Sequence, residues 1–336
     1  MTSQISAIIP NYNHANYLPT SVKALQQQTR PPDEIIIIDD ASTDNSIEVI
    51  SALVGADPRI KFLKNPKNRG AIFTLNRGIE AASGNFIYCG AADDVTEKNL
   101  LATLLAQLGH APEAGFACGV ARLTNQTSDY VSLRPAIIPS VRPKIFTSPQ
   151  TRDLLRVADN LFLSVVTLYR TQNLREMGGF DETLGPYCDG YALREIAAKN
   201  GFVFVPKILG TWRQSNESYS QALLGQPAEN LQFIEACCIK AENNPHFNDG
   251  FAKQLRCRLV FSTVRKLIHL QNGAPQSFLK NAGFNGSYVN LMYWVEFFPP
   301  KTKEAFLLVL ATLLLRPFSL RKLALNWVLK TVRYIK

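Results

Sequence analysis

Residues 35–40 read Ile-Ile-Ile-Ile-Asp-Asp, four β-branched side chains in succession followed at once by two carboxylates. An unbroken apolar run of this kind fits a strand covered on both faces, as in a parallel sheet, where an alternating pattern would mark a strand with one wet face. Upstream, Ile5–Ile9 is a second apolar run, and Leu18, Val22 and Leu25 between the two recur at helical spacing. The unit is therefore β-α-β. It repeats downstream: Ile47, Ile50 and Val54 mark a helix, Ile60–Leu63 a strand, Ile72, Leu75 and Ile79 a helix, and Phe86–Cys89 a strand that runs toward Asp93-Asp94. Leu101, Leu104, Leu105 and Leu108 give a further helix and Phe116–Val120 a further strand. Alternation of this kind predicts a doubly wound, mostly parallel, Rossmann-like α/β sheet. Ligands of such sheets bind beyond the carboxyl ends of the strands, at a topological switch point. Both aspartate pairs fall there.

The pattern weakens afterwards. Pro135, Pro139, Pro143 and Pro149 punctuate residues 124–149, which read as a loop-rich insertion. A helix is expected over Leu154–Leu161, strands over Leu163–Tyr169 and Phe202–Val205, and helices beyond Ser220. The division expected is a domain over 1–220, with halves 1–120 and 121–220, and a helical C-terminal region over 221–336.

At 336 residues, 46% hydrophobic and 19% charged, the chain is too apolar for a disordered protein. Its six cysteines form no Cys-x-x-Cys pair and no zinc-like ladder, so reduced thiols are expected. The run at Ile5–Ile9, stopped by Pro10, is too short for a signal peptide or a spanning helix; the expectation is a cytoplasmic protein, peripheral at most on the inner face of the cell membrane. The net charge of +9 is concentrated: residues 301–336 hold eight Lys and Arg against Glu304 alone. A nucleic-acid binder would display its basic surface on the folded domain, and the first 230 residues carry no such cluster, so no nucleic-acid partner is expected. Residues 305–315 form an apolar run, and Leu320, Leu323, Leu325, Trp327, Val328 and Leu329 form a second stripe beyond Arg316-Pro317. Eleven residues are too few to cross a bilayer. With Lys and Arg at their flanks they suit either an interfacial helix on anionic lipid or a packing surface within the protein or a homo-oligomer.

Two adjacent aspartates after four isoleucines exceed what helix capping by Ser42 or Asp44 requires. Carboxylates gathered at one sheet edge repel one another unless a cation or hydrogen-bond donors compensate. Mg²⁺ or Mn²⁺, which takes one or two carboxylates and then a ligand's phosphates, is one compensation. Neither a P-loop nor a Gly-x-Gly-x-x-Gly turn follows the first strand, so a phosphate cradle must be built from side chains and metal.

Ile8-Ile9-Pro10-Asn11-Tyr12-Asn13, Gln28-Thr29, Ile37-Ile38-Asp39-Asp40-Ala41-Ser42-Thr43-Asp44, Asn68-Arg69-Gly70, Ala81-Ala82-Ser83-Gly84 and Asp93-Asp94 follow one another in this order. Tyr169-Arg170, Met177-Gly178-Gly179-Phe180-Asp181-Glu182 and Asp189 continue the series. Residues 5 to about 215 thereby resemble the family 2 glycosyltransferases of GT-A fold. The resemblance implies inverting transfer from a nucleotide-diphosphate sugar, UDP-type favoured, to a glycan or lipid-linked acceptor. Donor binding would fall to Pro10, Tyr12, Asp40, Arg69, Asp93 and Arg213, with Tyr12 stacking on the base and Asp40 accepting from it. Asp93 and Asp94 would hold the divalent cation, Mn²⁺ or Mg²⁺, and Asp189 would be the general base. The chain departs from the family pattern twice. Ala91 stands where many members carry a further aspartate, and Cys188 replaces a glutamate before Asp189. A nucleotidyltransferase, or a GT-A-fold scaffold at the membrane surface with weakened chemistry, remains an alternative.

Overall fold

A computed structural model describes residues 3–92, 94–125, 129–158, 160–213, 226–269, 275–294 and 300–315. Two compact units divide the chain: Met1–Arg152 with Asn160–Ser215, and Asp153–Asp159 with Asn216–Lys336.

The first unit is built on a ten-stranded sheet. Its first half follows the predicted alternation: β1 (Ile5–Asn11), α1 (Leu18–Gln26), β2 (Glu34–Asp39), α2 (Ser46–Ala56), β3 (Ile60–Lys64), α3 (Ala71–Ala81), β4 (Phe86–Cys89), β5 (Val95–Thr96), α4 (Leu100–Gly109) and β6 (Phe116–Thr124). Then come β7 (Tyr130–Arg134), β8 (Lys144–Phe146), α5 (Ser148–Val157), β9 (Thr167–Arg170), α6 (Thr171–Glu176), a 3-10 turn at Glu182–Tyr187, α7 (Cys188–Asn200) and β10 (Phe202–Arg213). The strand order is β3-β2-β1-β4-β9-β6-β10-β5, with β7 on β6 and β8 on β10. β1 to β4 are mutually parallel. β9 runs against both β4 and β6, while β10 is parallel to β6. Six strands therefore share one direction, and their carboxyl ends share one sheet edge.

The isoleucine run explains the two layers of helix. Ile35 and Ile37 belong to a buried cluster with Ile5, Ala7 and Ile9 of β1, Leu18, Val22 and Leu25 of α1, Ile50 of α2 and Leu100, Leu104 and Leu108 of α4. Ile38 and Ile8 point to the opposite face, where α3 lies so close that a Cβ on its Gly78 would stand 2.4 Å from the Ile8 side chain and 3.0 Å from that of Ile38. All four isoleucines are fully buried, each worth roughly 1.5–3 kcal/mol of transfer free energy. A side chain at position 78 would push α3 off the sheet.

The second half departs from the sequence expectation. Residues 124–149 are loop-rich as expected and carry in addition the short strands β7 and β8. The helix expected over 154–161 occupies Ser148–Val157, and the segment 163–169 divides into a 3-10 turn at Ser164–Val166 and β9. The last strand is twelve residues long, reaching Arg213 instead of ending near Val205. Prolines and exposed edge positions such as Tyr130, Val131 and Ile145 hide these strands, because edge strands need no apolar alternation. Arg170 acts structurally: its guanidinium donates to the carbonyls of Leu108, Ala111 and Ala114 at 3.0, 3.1 and 2.9 Å, closing the end of α4.

The second unit is helical among its described residues, with helices at Pro227–Glu242, Phe251–His269, Pro275–Asn281, Ser287–Trp294 and Pro300–Leu315. No helix among the described residues is long and apolar enough to cross a membrane. The stripe over 320–329 lies outside the described residues.

Candidate functional site

Between β1 and β4 the chain switches direction across the sheet, and the loops after β1, β2, β4 and β10 all leave from the same edge. These loops carry most of the residues singled out from sequence. Each is placed by short polar side chains.

Asp39 is wholly buried at the end of β2. Its carboxylate accepts from Asn11 Nδ2 at 2.9 Å, Ser42 Oγ at 2.5 Å and the Ser42 amide at 3.0 Å. Asn13, in the left-handed region at φ 56°, accepts from the amides of Thr43 and Asp44 at 2.7 and 3.3 Å, and Asp44 accepts from the Ala15 amide at 3.1 Å. The loops after β1 and β2 are thus clipped together, which leaves Tyr12 standing 43% exposed on the crevice rim. Pro10 is half-buried in register with Ile38.

Asp40 is only 3% exposed. Its oxygens accept from Asn65 Nδ2 at 2.7 Å, the Arg69 amide at 2.9 Å and the Gly70 amide at 2.7 Å. For this pair of aspartates, hydrogen-bond donors supply the compensation that a cation was expected to share. The carboxylate fixes the Asn68-Arg69-Gly70 loop, and Gly70 takes φ 88° at the head of α3, a conformation that favours glycine. Arg69 is exposed, with its guanidinium carbon 4.0 Å from the centre of the Phe73 ring.

Asp94 precedes β5, which pairs antiparallel with β10, and its carboxylate accepts from the Arg213 amide at 3.3 Å. The chain thereby brings together two residues 119 positions apart. Burial, with the Asp94 charge adding to it, holds the Tyr88 phenol of β4 well above the usual range. Asp93 lies outside the described residues. Asp189 sits half-buried in the first turn of α7, accepting from the Gly190 amide at 2.6 Å. Burial raises its pKa, opposed by the Gly190 amide and the Arg194 charge. Its own charge adds to burial in pushing the Cys89 thiol up to about 12, which sets Asp189 within electrostatic reach of the end of β4. Cys188, beside it, is buried.

Among the described residues no three His, Cys, Asp or Glu are grouped to hold a metal ion. Asp94 offers hard carboxylate oxygen, and the donor set suits a cation that draws most of its ligands from a bound diphosphate.

Sequence reasoning missed Asn65 and Asn76. Asn76 of α3 pairs with the Phe180 backbone in both directions, Nδ2 donating to the carbonyl and Oδ1 accepting from the amide, each at 2.7 Å. Asparagine is a poor helix former, and its place on the half-buried face of α3 was the available signal.

A separate concavity of about 270 Å³ lies around Glu34 and Arg59 at the amino ends of β1 and β2, away from these residues. Burial alone would raise the Glu34 carboxyl, but Lys61, Ser6 and Ser83 outweigh it and hold it at about 2. That carboxylate is saturated by its neighbours.

Residues 6–166 match the family model described as Glycosyl transferase family 2. The glycosyltransferase GlyG of Streptococcus pneumoniae is 37% identical over 108 residues, 32% of this chain and 36% of GlyG. The chain thus spans about a third of that relative's length. Among solved structures, S. aureus TarS 1–349 in complex with UDP-GlcNAc superposes with a TM-score of 0.66 at 15% identity, over 95% of this chain and 93% of that one. The mannosyltransferase PcManGT from Pyrobaculum calidifontis, in complex with GDP-Man and Mn²⁺, gives 0.59 at 18% identity over 92% and 86%. At these identities the likeness establishes the fold, which is the GT-A fold.

Proposed function

We propose, from residues 6–166 belonging to glycosyl transferase family 2, that this protein moves a sugar from a nucleotide-diphosphate donor to a hydroxyl acceptor with inversion. The observation that carries the reading is the convergence of Tyr12, Arg69, Asp94, Arg213 and Asp189 on the carboxyl edge of the sheet. Residues 1–120 would form the donor half of the catalytic domain and 121–220 the acceptor half, with 221–336 as a helical extension.

Tyr12 would stack on the base. Asp40 keeps lone-pair capacity on Oδ2 beyond its loop contacts, which suits a base that donates N–H, as uracil does at N3. Arg69 and Arg213 would meet the diphosphate, whose oxygens match a guanidinium fork. Asp94, with Asp93, would hold Mn²⁺ or Mg²⁺, and that cation would offset charge on the departing diphosphate. Asp189 would take the proton from the acceptor hydroxyl, and its raised pKa keeps it basic enough for the task.

Screening UDP- and GDP-sugars by thermal shift with and without Mn²⁺ tests donor and metal together. A donor at 100 times its Kd should stabilise the chain by about 2.7 kcal/mol. We expect a UDP-sugar to raise Tm with Mn²⁺ and much less with EDTA. A panel with no shift in any well would refute the reading.

An acceptor carried on lipid suits the basic C-terminal segment. In the helix Pro300–Leu315, Phe306, Val309 and Leu313 are 50, 55 and 48% exposed, at positions that share one face. Co-sedimentation with phosphatidylglycerol vesicles should fall at least several-fold in the variant Phe306→Ser/Val309→Ser/Leu313→Ser. Sedimentation unchanged by all three serines would remove the membrane from the scheme.

A further inference from the structure

The helix α3 is held at its head, middle and tail by residues distant in sequence. At its head, Asp40 binds the amides of Arg69 and Gly70, and Asn65 Nδ2 reaches both Asp40 Oδ1 and Thr74 Oγ1, at 2.7 and 3.0 Å. Midway along it, Asn76 makes its two-way amide contact with Phe180, 104 residues away in sequence. At its tail, Arg175 donates to the carbonyls of Ile79 and Ala82 at 3.0 and 2.6 Å. Gly179 takes φ 81°, and a Cβ there would stand 2.4 Å from Asn76 Oδ1. The glycine is therefore required both by its backbone conformation and by the approach of the asparagine amide. Phe180 is 2% exposed, edge-on to the Tyr169 ring at 6.4 Å. Beyond it the chain enters the 3-10 turn Glu182–Tyr187, which leads directly into α7 and Asp189.

We propose that Asn76 is a positioning residue for the transfer: it locks the Gly179-Phe180 turn to α3, and so sets the base-bearing start of α7 in register with the donor loop at Arg69-Gly70. This rests on the glycosyltransferase reading. Asn76 touches neither the donor residues nor Asp189 in the contacts above, so its effect reaches the chemistry through geometry. A side-chain amide bonded to a backbone N–H and C=O at once fixes both distance and direction, as a strand pair does, whereas one bond would leave the turn free to pivot. Misplacement of a reacting group by about 1 Å costs up to about 100-fold in rate.

The experiment compares kcat and nucleotide affinity in the full chain and in Asn76→Ala and Asn76→Asp. Nucleoside diphosphate release from a UDP-sugar reports kcat, and titration with UDP alone reports binding. Asn76→Ala should lose roughly 10- to 100-fold in kcat, with its Kd for UDP within about twofold of the parent. Asn76→Asp keeps an acceptor for the Phe180 amide but sets a carboxylate oxygen against the Phe180 carbonyl, so it too should lose kcat with UDP affinity kept. If Asn76→Ala fails to fold, Asn76→Asp carries the same comparison. A folded variant with unchanged kcat overturns the proposal, as does a parallel loss of kcat and UDP affinity, which is what general loosening would give. A parent chain with no turnover on any nucleotide sugar overturns the glycosyltransferase reading and this role with it. An active parent with equally active variants overturns this role alone.

Discussion

Asp189→Asn is expected to lower the transfer rate by roughly 10²–10⁴-fold, the contribution of a positioned general base, while UDP binding stays within about twofold. The amide occupies nearly the same volume and still accepts from Gly190, so geometry is kept and only the proton acceptor is lost. The pH behaviour follows from the environment. Burial raises the Asp189 pKa above the ordinary aspartate value, against the Gly190 amide and Arg194. Activity should therefore fall, as pH drops, at a higher pH than a solvated aspartate would allow. Cys89 and Tyr169 are the titratable neighbours on β4 and β9 that feel its charge, and burial keeps both protonated through this range. Stability moves the other way. A carboxyl with a raised folded-state pKa contributes stability that is complete below its unfolded pKa and lost as pH rises through its folded pKa. Above that pH the ionised, half-buried Asp189 is a net cost, so Asp189→Asn should raise Tm at neutral pH, with the gain shrinking on acidification. Rate, UDP affinity and Tm measured against pH on the two proteins check all three statements. A variant with the parent's rate would take Asp189 out of the mechanism.

Ile35 to Ile38 were legible because burial on both faces leaves its mark on every position of the strand. The same holds for the apolar run of β1 and for α1 and α4, whose stripes face the β1–β2 cluster. β7, β8 and the insertion of β9 between β4 and β6 were not legible. Edge strands carry no apolar alternation, and antiparallel placement of a distant segment is a choice made by tertiary contacts such as the register of Phe86 with Arg170. The charged and aromatic residues proposed for the site were named from their order along the chain. The residues that fix them, Asn65 and Asn76 above all, are uncharged and do their work through paired side-chain hydrogen bonds to partners 9 to 104 positions away, which no spacing rule reveals. The departures at Ala91 and Cys188 were visible as letters, yet their consequence depends on the neighbours of Asp94 and Asp189. Those are the Arg213 amide in one case and Gly190 with Arg194 in the other.

Asp40→Ala should damage both stability and donor binding, and by more than loss of one contact. The substitution removes the acceptor of three donors: Asn65 Nδ2 and the amides of Arg69 and Gly70. Asn65 is itself 1% exposed, so its freed N–H has Thr74 Oγ1 as its remaining partner and little access to water. Leaving a buried donor unsatisfied costs about 1–3 kcal/mol. The two backbone amides lie in an exposed loop and can be rehydrated, which keeps the expected loss of stability on the order of 2–4 kcal/mol. Gly70 at φ 88° has no side chain to hold that conformation, so without the carboxylate the loop should sample other backbone states and Arg69 should lose its fixed origin over the crevice. Affinity for UDP should then fall at least tenfold, well beyond what Arg69→Ala alone would cause, because the proposed base and phosphate contacts would fail together. Asp40→Asn separates the two effects. Its carbonyl oxygen can serve one part of the loop, but its NH₂ group meets amide donors where an acceptor is needed, so it should retain some stability and bind UDP poorly. Urea denaturation and UDP titration of the two variants decide the matter: an Asp40→Ala protein as stable as the parent, or one that binds UDP equally well, would show that the donor loop stands without this carboxylate.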